Sequence, residues 1–228
     1  MLFEDRKDAG RALAQTLAAL PDLKQAVVLA LPRGGVPVAY EVAAAHHLPL
    51  DILMVRKLGV PGQEELAMGA IASDGATVFN AHVIQALHIS EEILHAAAVR
   101  ERLRMEQDER AYRGGLPPVE FAGCTVVLID DGLATGATMR AAVRAVRPRA
   151  QKIVVAVPVA APGSIRELQR EADQVFCTAA PEPFDAVGRF YADFAPTGDD
   201  EVRTLLLQAR RNLEPQPAAL SREDRGED

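Results

Sequence analysis

Continuous apolar runs alternate with helical patterns along the chain, the arrangement that predicts parallel strand–helix units. The spacing predicts a helix over residues 6–20 ending at Pro21, followed by a buried strand, Gln25–Leu31 (QAVVLAL). The turn PRGGVP leads into a helix over Val38–His46, and Asp51–Val55 (DILMV) reads as a second strand. Leu66–Ala72 and Ala76–Phe79 read as shorter strands joined at Ser73-Asp74-Gly75. Ser90 suits the N-cap of a helix reaching Tyr112, with Glu91 and Glu92 in its first turn. That helix is rich in Arg and Glu and weakly amphipathic, so it either crosses the outside of the core or forms a partner interface, which leaves a homo-oligomer open. Gly114-Gly115-Leu-Pro-Pro ends it.

Thr125–Ile129 is the most hydrophobic strand candidate and feeds a loop and a helix over Thr138–Val146. Lys152–Val157, a helix over Ser164–Glu171, a short strand over Gln174–Cys177, an aromatic-rich loop from Pro181 to Pro196 and a helix over Asp199–Asn212 follow. The charged, proline-containing tail from Glu214 is expected to be disordered. Short apolar strands each followed by a helix indicate an α/β fold, a mostly parallel sheet flanked by helices, in one domain over residues 1–213. Ligands of such sheets sit beyond the carboxyl ends of the strands, which singles out the loops after Leu31, Val55 and Ile129.

The loop after Ile129 carries the clearest chemistry. The segment Val126–Thr138, VVLIDDGLATGAT, runs from an apolar strand through paired acids and a small flexible stretch into a helix. Backbone N–H groups of Ala134, Thr135, Gly136, Ala137 and Thr138, helped by the two threonine hydroxyls, can converge on a phosphate at the helix N-terminus. Asp130 and Asp131 would repel a phosphate; they suit hydroxyls or a hydrated Mg²⁺. A ligand with a phosphate at one end and a diol at the other is a sugar phosphate. The loop has no Lys for a Walker motif, the first strand is not followed by Gly-x-Gly-x-x-Gly, and the acids are adjacent rather than Asp-x-Asp as in an aspartyl phosphatase.

This segment resembles the signature of the type I phosphoribosyltransferases, above all the adenine phosphoribosyltransferase version with its Ala-Thr-Gly ending. The resemblance covers about residues 25–180, with an insertion over about 59–122 and a small C-terminal hood over about 181–198. It implies that Asp130 and Asp131 hold the ribose hydroxyls of 5-phosphoribosyl diphosphate, that Ala134 to Thr138 hold its 5-phosphate, and that Mg²⁺ takes part. Some members carry a third Asp in this loop as proton acceptor for the base; here that position is Ala134, so the proton must be handled elsewhere. Pro32-Arg33-Gly34-Gly35 stands where the family places its diphosphate loop, with Arg33-Gly34 as a candidate cis peptide. Arg56 and Lys57, before Pro61-Gly62, resemble the family's mobile catalytic loop, and Glu64 or Glu65 could supply the missing carboxylate. Phe184, Phe190 and Tyr191 are candidates for stacking on the base, with a hydrophobic cluster anchoring the last helix as the equal alternative.

Composition narrows the partners. A formal charge of −7 argues against a general nucleic-acid binder, and Arg140, Arg144, Arg147, Arg149 and Lys152 read as a solvated helix face. Cys124 and Cys177 are far apart and lack metal spacing, as do His82, His88 and His95. No stretch approaches a membrane span, and the chain is read as cytoplasmic. The expected activity is Mg²⁺-dependent phosphoribosyl transfer to an unidentified base; a non-catalytic sensor of phosphoribosyl diphosphate or a nucleotide is the alternative, and a synthase or hydrolase of that compound a weaker third. Replacing Glu65 by Gln should slow steady-state diphosphate release by ~10²-fold or more; unchanged turnover would remove Glu65 from the chemistry.

Overall fold

The computed structural model describes residues 1–213 apart from Asp22 and Asp74, and only the backbone of Glu64 and Glu65. The tail predicted to be disordered lies outside the described residues. Five parallel strands form the central sheet in the order β2-β1-β6-β7-β8: β1 is Ala26–Ala30, β2 Leu50–Ile52, β6 Thr125–Ile129, β7 Lys152–Val159 and β8 Gln174–Ala179. Helices cover both faces, as continuous apolar strands require. On one face Val28, Ala30, Val127, Ile129, Val154 and Ala156 pack under α1 (Arg6–Leu17), α2 (Gly35–His46) and α7 (Asp199–Leu213). On the other, Val27, Leu29, Val126, Leu128, Ile153 and Val155 pack under α5 (Ala137–Val146) and α6 (Pro162–Leu168).

The chain leaves β1 for β2 on one side, while β6 joins β1 on the other. The β1/β6 boundary is therefore the point where strand order reverses and a crevice opens beyond the carboxyl ends. The register of the two strands is direct, from Ala26↔Thr125 to Ala30↔Ile129, and Leu31 N donates to Ile129 O at 2.8 Å. The loops after β1 and β6 consequently start side by side.

Two sequence expectations need correction. The run Asp51–Val55 is not one strand: β2 ends at Ile52, and Val55–Val60 (β3) begins a separate antiparallel sheet with β4 (Gln63–Ala72) and β5 (Thr77–Phe79). The break is fixed by Ser73, whose N donates to Met54 O at 2.9 Å while its Oγ accepts from Met54 N at 3.1 Å. Arg56 and Lys57 thus lie in a strand, paired with Ile71 and Ala70, rather than in a loop. A short helix, α3 (Ala81–Ala86), capped by the Asn80 side chain, had no counterpart in the predicted elements.

The long helix α4 (Glu91–Arg113), capped by Ser90 as predicted, crosses this small sheet and packs on α7. Its inward stripe is Leu94, Ala97, Glu101, Met105 and Glu109. Two glutamates fit in the stripe because arginines reach them: Arg104 lies 2.9 Å from Glu101, and Arg113 lies 3.0 Å from Glu109. Arg113 also joins the insertion to the main sheet by donating to Asp51 at 2.9 Å. Asp51 accepts from Val119 N and Ile52 N at 2.8 Å each. Asp51 is 3% exposed and sits on β2. Asp51→Asn, which removes the charge facing Arg113, should lower stability by about 3 kcal/mol in urea titrations; a loss under about 1 kcal/mol would show that this junction does not hold the insertion.

Candidate functional site

At the switch point the acids of the signature and the glycines of the β1 loop are in direct contact. A Cβ on Gly34 would lie 2.1 Å from Asp131 Oδ2, and one on Gly35 would lie 2.8 Å from Ile129 O and 2.9 Å from Asp130 Cα. These two positions therefore need glycine because the loops cross at closest approach. The expected diphosphate loop Pro32–Gly35 thus owes its two glycines to this close approach. The cis peptide of this loop is Pro32-Arg33, one bond before the predicted position.

Asp130 and Asp131 differ in environment. Asp130 Oδ1 accepts from the Asp131 N–H at 2.9 Å. Asp131 Oδ2 accepts from Arg6 Nε at 2.8 Å, with both side chains largely buried, and Asp131 O accepts from the Tyr191 hydroxyl at 2.5 Å. Burial, reinforced by the charge of Asp131, pushes the Asp130 carboxyl well above the usual carboxylate range. Burial also raises Asp131, but the Arg6 guanidinium pulls it back. Arg6 was not among the predicted site residues. Within FEDRKDAG it reads as an ordinary charged helix start, and no pattern in the sequence distinguishes it.

Beyond the acids, Leu133 N donates to Val159 O at 3.0 Å and Ala161 N to Leu133 O at 2.9 Å, while Ser164 Oγ donates to Ala134 O at 2.5 Å. The loop is thereby fixed to the end of β7 and the start of α6. Gly136 caps α5 with φ +68°, a left-handed conformation that favours glycine. Ala134, Thr135, Ala137 and Thr138 face solvent at this helix start, so the first-turn N–H groups of α5 open toward the crevice.

A cavity of ≈ 260 Å³ brings together three of the predicted residues, Arg33, Arg56 and Thr138, with Pro32, Asp108 and Tyr112 also in its lining; Asp130 and Asp131 do not line it. Arg33 lies 3.2 Å from Asp199 at the start of α7, and Arg56 lies 2.6 Å from Asp108 on α4. Burial and the Asp199 charge push the Tyr112 phenol up. Lys57 does not join Arg56 here. Neighbouring residues of a strand face opposite ways, and Lys57 lines a larger cavity of ≈ 920 Å³ between the small sheet and α5, which also reaches Thr138 and Ala137.

The aromatic residues split. Tyr191 is 3% exposed and packs on Phe3 and Phe194, with ring centroids at 5.6 and 5.0 Å. Its ring is core rather than an open stacking surface, because its hydroxyl is spent on Asp131 O. Phe184 and Phe190 are half-buried against each other, centroids 5.0 Å apart. These rings belong to a hydrophobic cluster with Phe3, Ala9 and Val159, which is built on the N-terminal segment and α1 and not on the last helix as the alternative to stacking had it. The Glu65 side chain lies outside what is described; its backbone is in β4.

The basic run is matched by carboxylates: Arg140 pairs with Glu167, Arg144 with both oxygens of Glu171 at 2.7 Å, Arg147 with Asp173 at 2.8 Å and Arg149 with Glu120 at 2.6 Å. Cys177 is a partly buried thiol pushed up to about 11 by desolvation. No helix among the described residues is long and apolar enough to cross a membrane.

The fold and crevice define a phosphoribosyltransferase-type protein. The phosphoribosyl transferase domain family matches residues 3–193, and the chain belongs to that family. It is 45% identical over 213 residues to the Mycobacterium tuberculosis protein named "Putative phosphoribosyl transferase Rv0571c", covering 93% of this chain and 48% of that protein. The chain thus spans about half the length of the curated relatives it matches. Among solved structures, TT1426 from Thermus thermophilus superposes with a TM-score of 0.82 at 40% identity, covering 91% of this chain and 99% of that one.

The raised Asp130 carboxyl has a consequence for stability. The folded protein holds its proton more tightly than the unfolded chain, so stability falls as pH climbs from the ordinary carboxylate value toward the raised one. Asp130→Asn keeps the oxygen that accepts from Asp131 N and removes the penalty. Its melting temperature at pH 7 should exceed that of the wild type by about 2–4 °C per kcal/mol relieved, with the gap closing toward about pH 4. Calorimetric melts across that range that show no gain at pH 7 would refute this.

Proposed function

We propose that the chain transfers the 5-phosphoribosyl group of 5-phosphoribosyl diphosphate to a nitrogen of a base and releases diphosphate. The observation that carries this reading is that the in-register pairing of β1 with β6 sets the paired acids Asp130 and Asp131 beside the β1 loop, near the start of α5 and a cavity lined by Arg33, Arg56 and Thr138. In the reaction the bond between ribose C1 and diphosphate oxygen breaks, the bond from C1 to nitrogen forms, and the base gives up a proton. Asp130 and Asp131 accept hydrogen bonds from the ribose hydroxyls and favour the positive charge that develops on the ring. The α5 start anchors the 5-phosphate, so that C1 is held between the acids and the β1 loop. Arg33 and Arg56 offer planar donors to the departing diphosphate. Ala134 leaves the signature loop without a third carboxylate, and Glu65 remains the candidate proton acceptor.

In this reading Mg²⁺ would be shared between the protein and the diphosphate. Among the described residues no three His, Cys, Asp or Glu side chains gather into a metal cage. Asp130 and Asp131 would hold Mg²⁺ together with diphosphate oxygens and water, and the ion would neutralise the leaving group.

A second reading, a non-catalytic sensor of the same ligand, is favoured by the pairing of Arg33 with Asp199 on α7 and Arg56 with Asp108 on α4. A diphosphate that takes over either arginine releases a helix carboxylate, and this links occupancy to α4 and α7. Two measurements separate the readings. The variant Asp130→Asn with Asp131→Asn should lose all binding of phosphoribosyl diphosphate with Mg²⁺ in calorimetry, and undiminished affinity would overturn the site. Diphosphate release across a panel of purines, pyrimidines and analogues should appear with at least one base. Retained binding with no release from any of them would favour the sensor.

A further inference from the structure

Asp131 is gripped from one side by a unit built from the two ends of the family domain. The N-terminal segment pairs with the aromatic loop: Leu2 N and Phe3 N donate to Phe190 O at 2.9 and 3.0 Å, Ala192 N to Phe3 O and Asp193 N to Glu4 O at 2.8 Å each. The chain then enters α1, capped by Asp5, and Arg6 is its first residue. The Arg6 guanidinium makes three contacts in different directions. Nε reaches Asp131 Oδ2 at 2.8 Å, Nη1 reaches Ala195 O at 2.7 Å, and the group lies 3.9 Å from the centroid of Phe194. Phe194 stacks against Tyr191, whose hydroxyl holds the Asp131 carbonyl. One unit therefore fixes Asp131 at both side chain and backbone, and Gly34 closes on the same carboxylate oxygen, where an added Cβ would lie 2.1 Å from it and 3.3 Å from Arg6 Nε.

A lone salt bridge would need none of this. A surface lysine could neutralise Asp131, but only a planar fork can hold two acceptors at a set angle while lying on a ring. The arrangement fixes a direction as well as a charge. The other acid, Asp130, touches the neighbouring backbone N–H and not Arg6. Of the two acids, Asp131 is the one that Arg6 clamps.

We propose that Arg6 is the positioning residue of the acid pair: it holds the Asp131 carboxylate in the orientation that receives a ribose hydroxyl, and it makes α1 and the aromatic loop part of the substrate site. The inference rests on the phosphoribosyl reading above. Arg6 does not touch the reacting atoms; it acts through Asp131. Positions held to a fraction of an ångström matter in such sites, where a displacement of about 1 Å can cost ~10²-fold.

The test uses the full chain, with phosphoribosyl diphosphate and Mg²⁺ as the titrant. Arg6→Met removes the charge and the fork at similar length, and Arg6→Lys keeps the charge but reaches one acceptor. Leu13→Ala, on the same helix and fully buried, weakens α1 packing without approaching Asp131. Arg6→Met should lose about 10- to 100-fold in affinity, and Arg6→Lys should recover part of it. Leu13→Ala should lower the melting temperature and leave affinity unchanged. In a double-mutant cycle, adding Arg6→Met to Asp131→Asn should cost little further, because both act on one contact. An Arg6→Met affinity within about twofold of wild type, an Arg6→Lys variant as tight as wild type, or full additivity with Asp131→Asn would overturn the inference. A wild-type chain that does not bind would bring down the phosphoribosyl reading and this inference with it; a wild type that binds as tightly as Arg6→Met brings down this inference alone.

Discussion

The parallel, in-register pairing of β1 with β6 is the constraint on which the rest of the site depends. Because Ala30 stands opposite Ile129 and Leu31 still bonds to Ile129 O, the loops that follow cannot separate before they cross. Crossing at that distance leaves no room for a Cβ on Gly34 or Gly35, and it places two carboxylates in a narrow space with little water. The rise of the Asp130 carboxyl, the need for Arg6 beside Asp131 and the opening of the crevice beyond the strand ends all follow from that one adjacency. A ligand bearing hydroxyls and a cation would relieve the crowding that the fold creates.

Charge in this protein is mostly paired before any ligand arrives. Arg33 and Arg56, the two cations of the small cavity, both face helix carboxylates across partly exposed pairs. Exposed pairs of that kind contribute about 0–1 kcal/mol each. A diphosphate, with several charges and bidentate geometry, can displace them at little cost. The acids of α4 and α7 therefore hold the arginines near the crevice without locking them. Arg6 differs: its partner is largely buried and its guanidinium bonds a second acceptor, Ala195 O, so that pair belongs to the architecture of the site.

The central strands and their order along the chain were legible because strands buried on both faces are continuously apolar, and the signature was legible because its residues are contiguous. The strands of the insertion were found in part. The break after Ile52 was missed because Leu53, Met54 and Val55 are as apolar as the strand before them; only Ser73, distant in sequence, ends it. Helix α4 read as weakly amphipathic because Glu101 and Glu109 sit in its inward stripe, a place acidic residues take only when arginines are already positioned to meet them. Tyr191 looked like a stacking ring because sequence records an aromatic residue and not which side of the loop it packs on.

By itself, the sequence determined the α/β class, the strand–loop–helix signature of Val126–Thr138 with its paired acids, and the glycine loop after β1, all properties of short contiguous segments. The tertiary structure alone decided that the glycines serve the crossing of two loops, that Arg56 and Lys57 part to different cavities and that Arg6 belongs to the acid pair. These are contacts between segments far apart in the chain, and hydrophobic periodicity carries no information about which distant charge will come to face which.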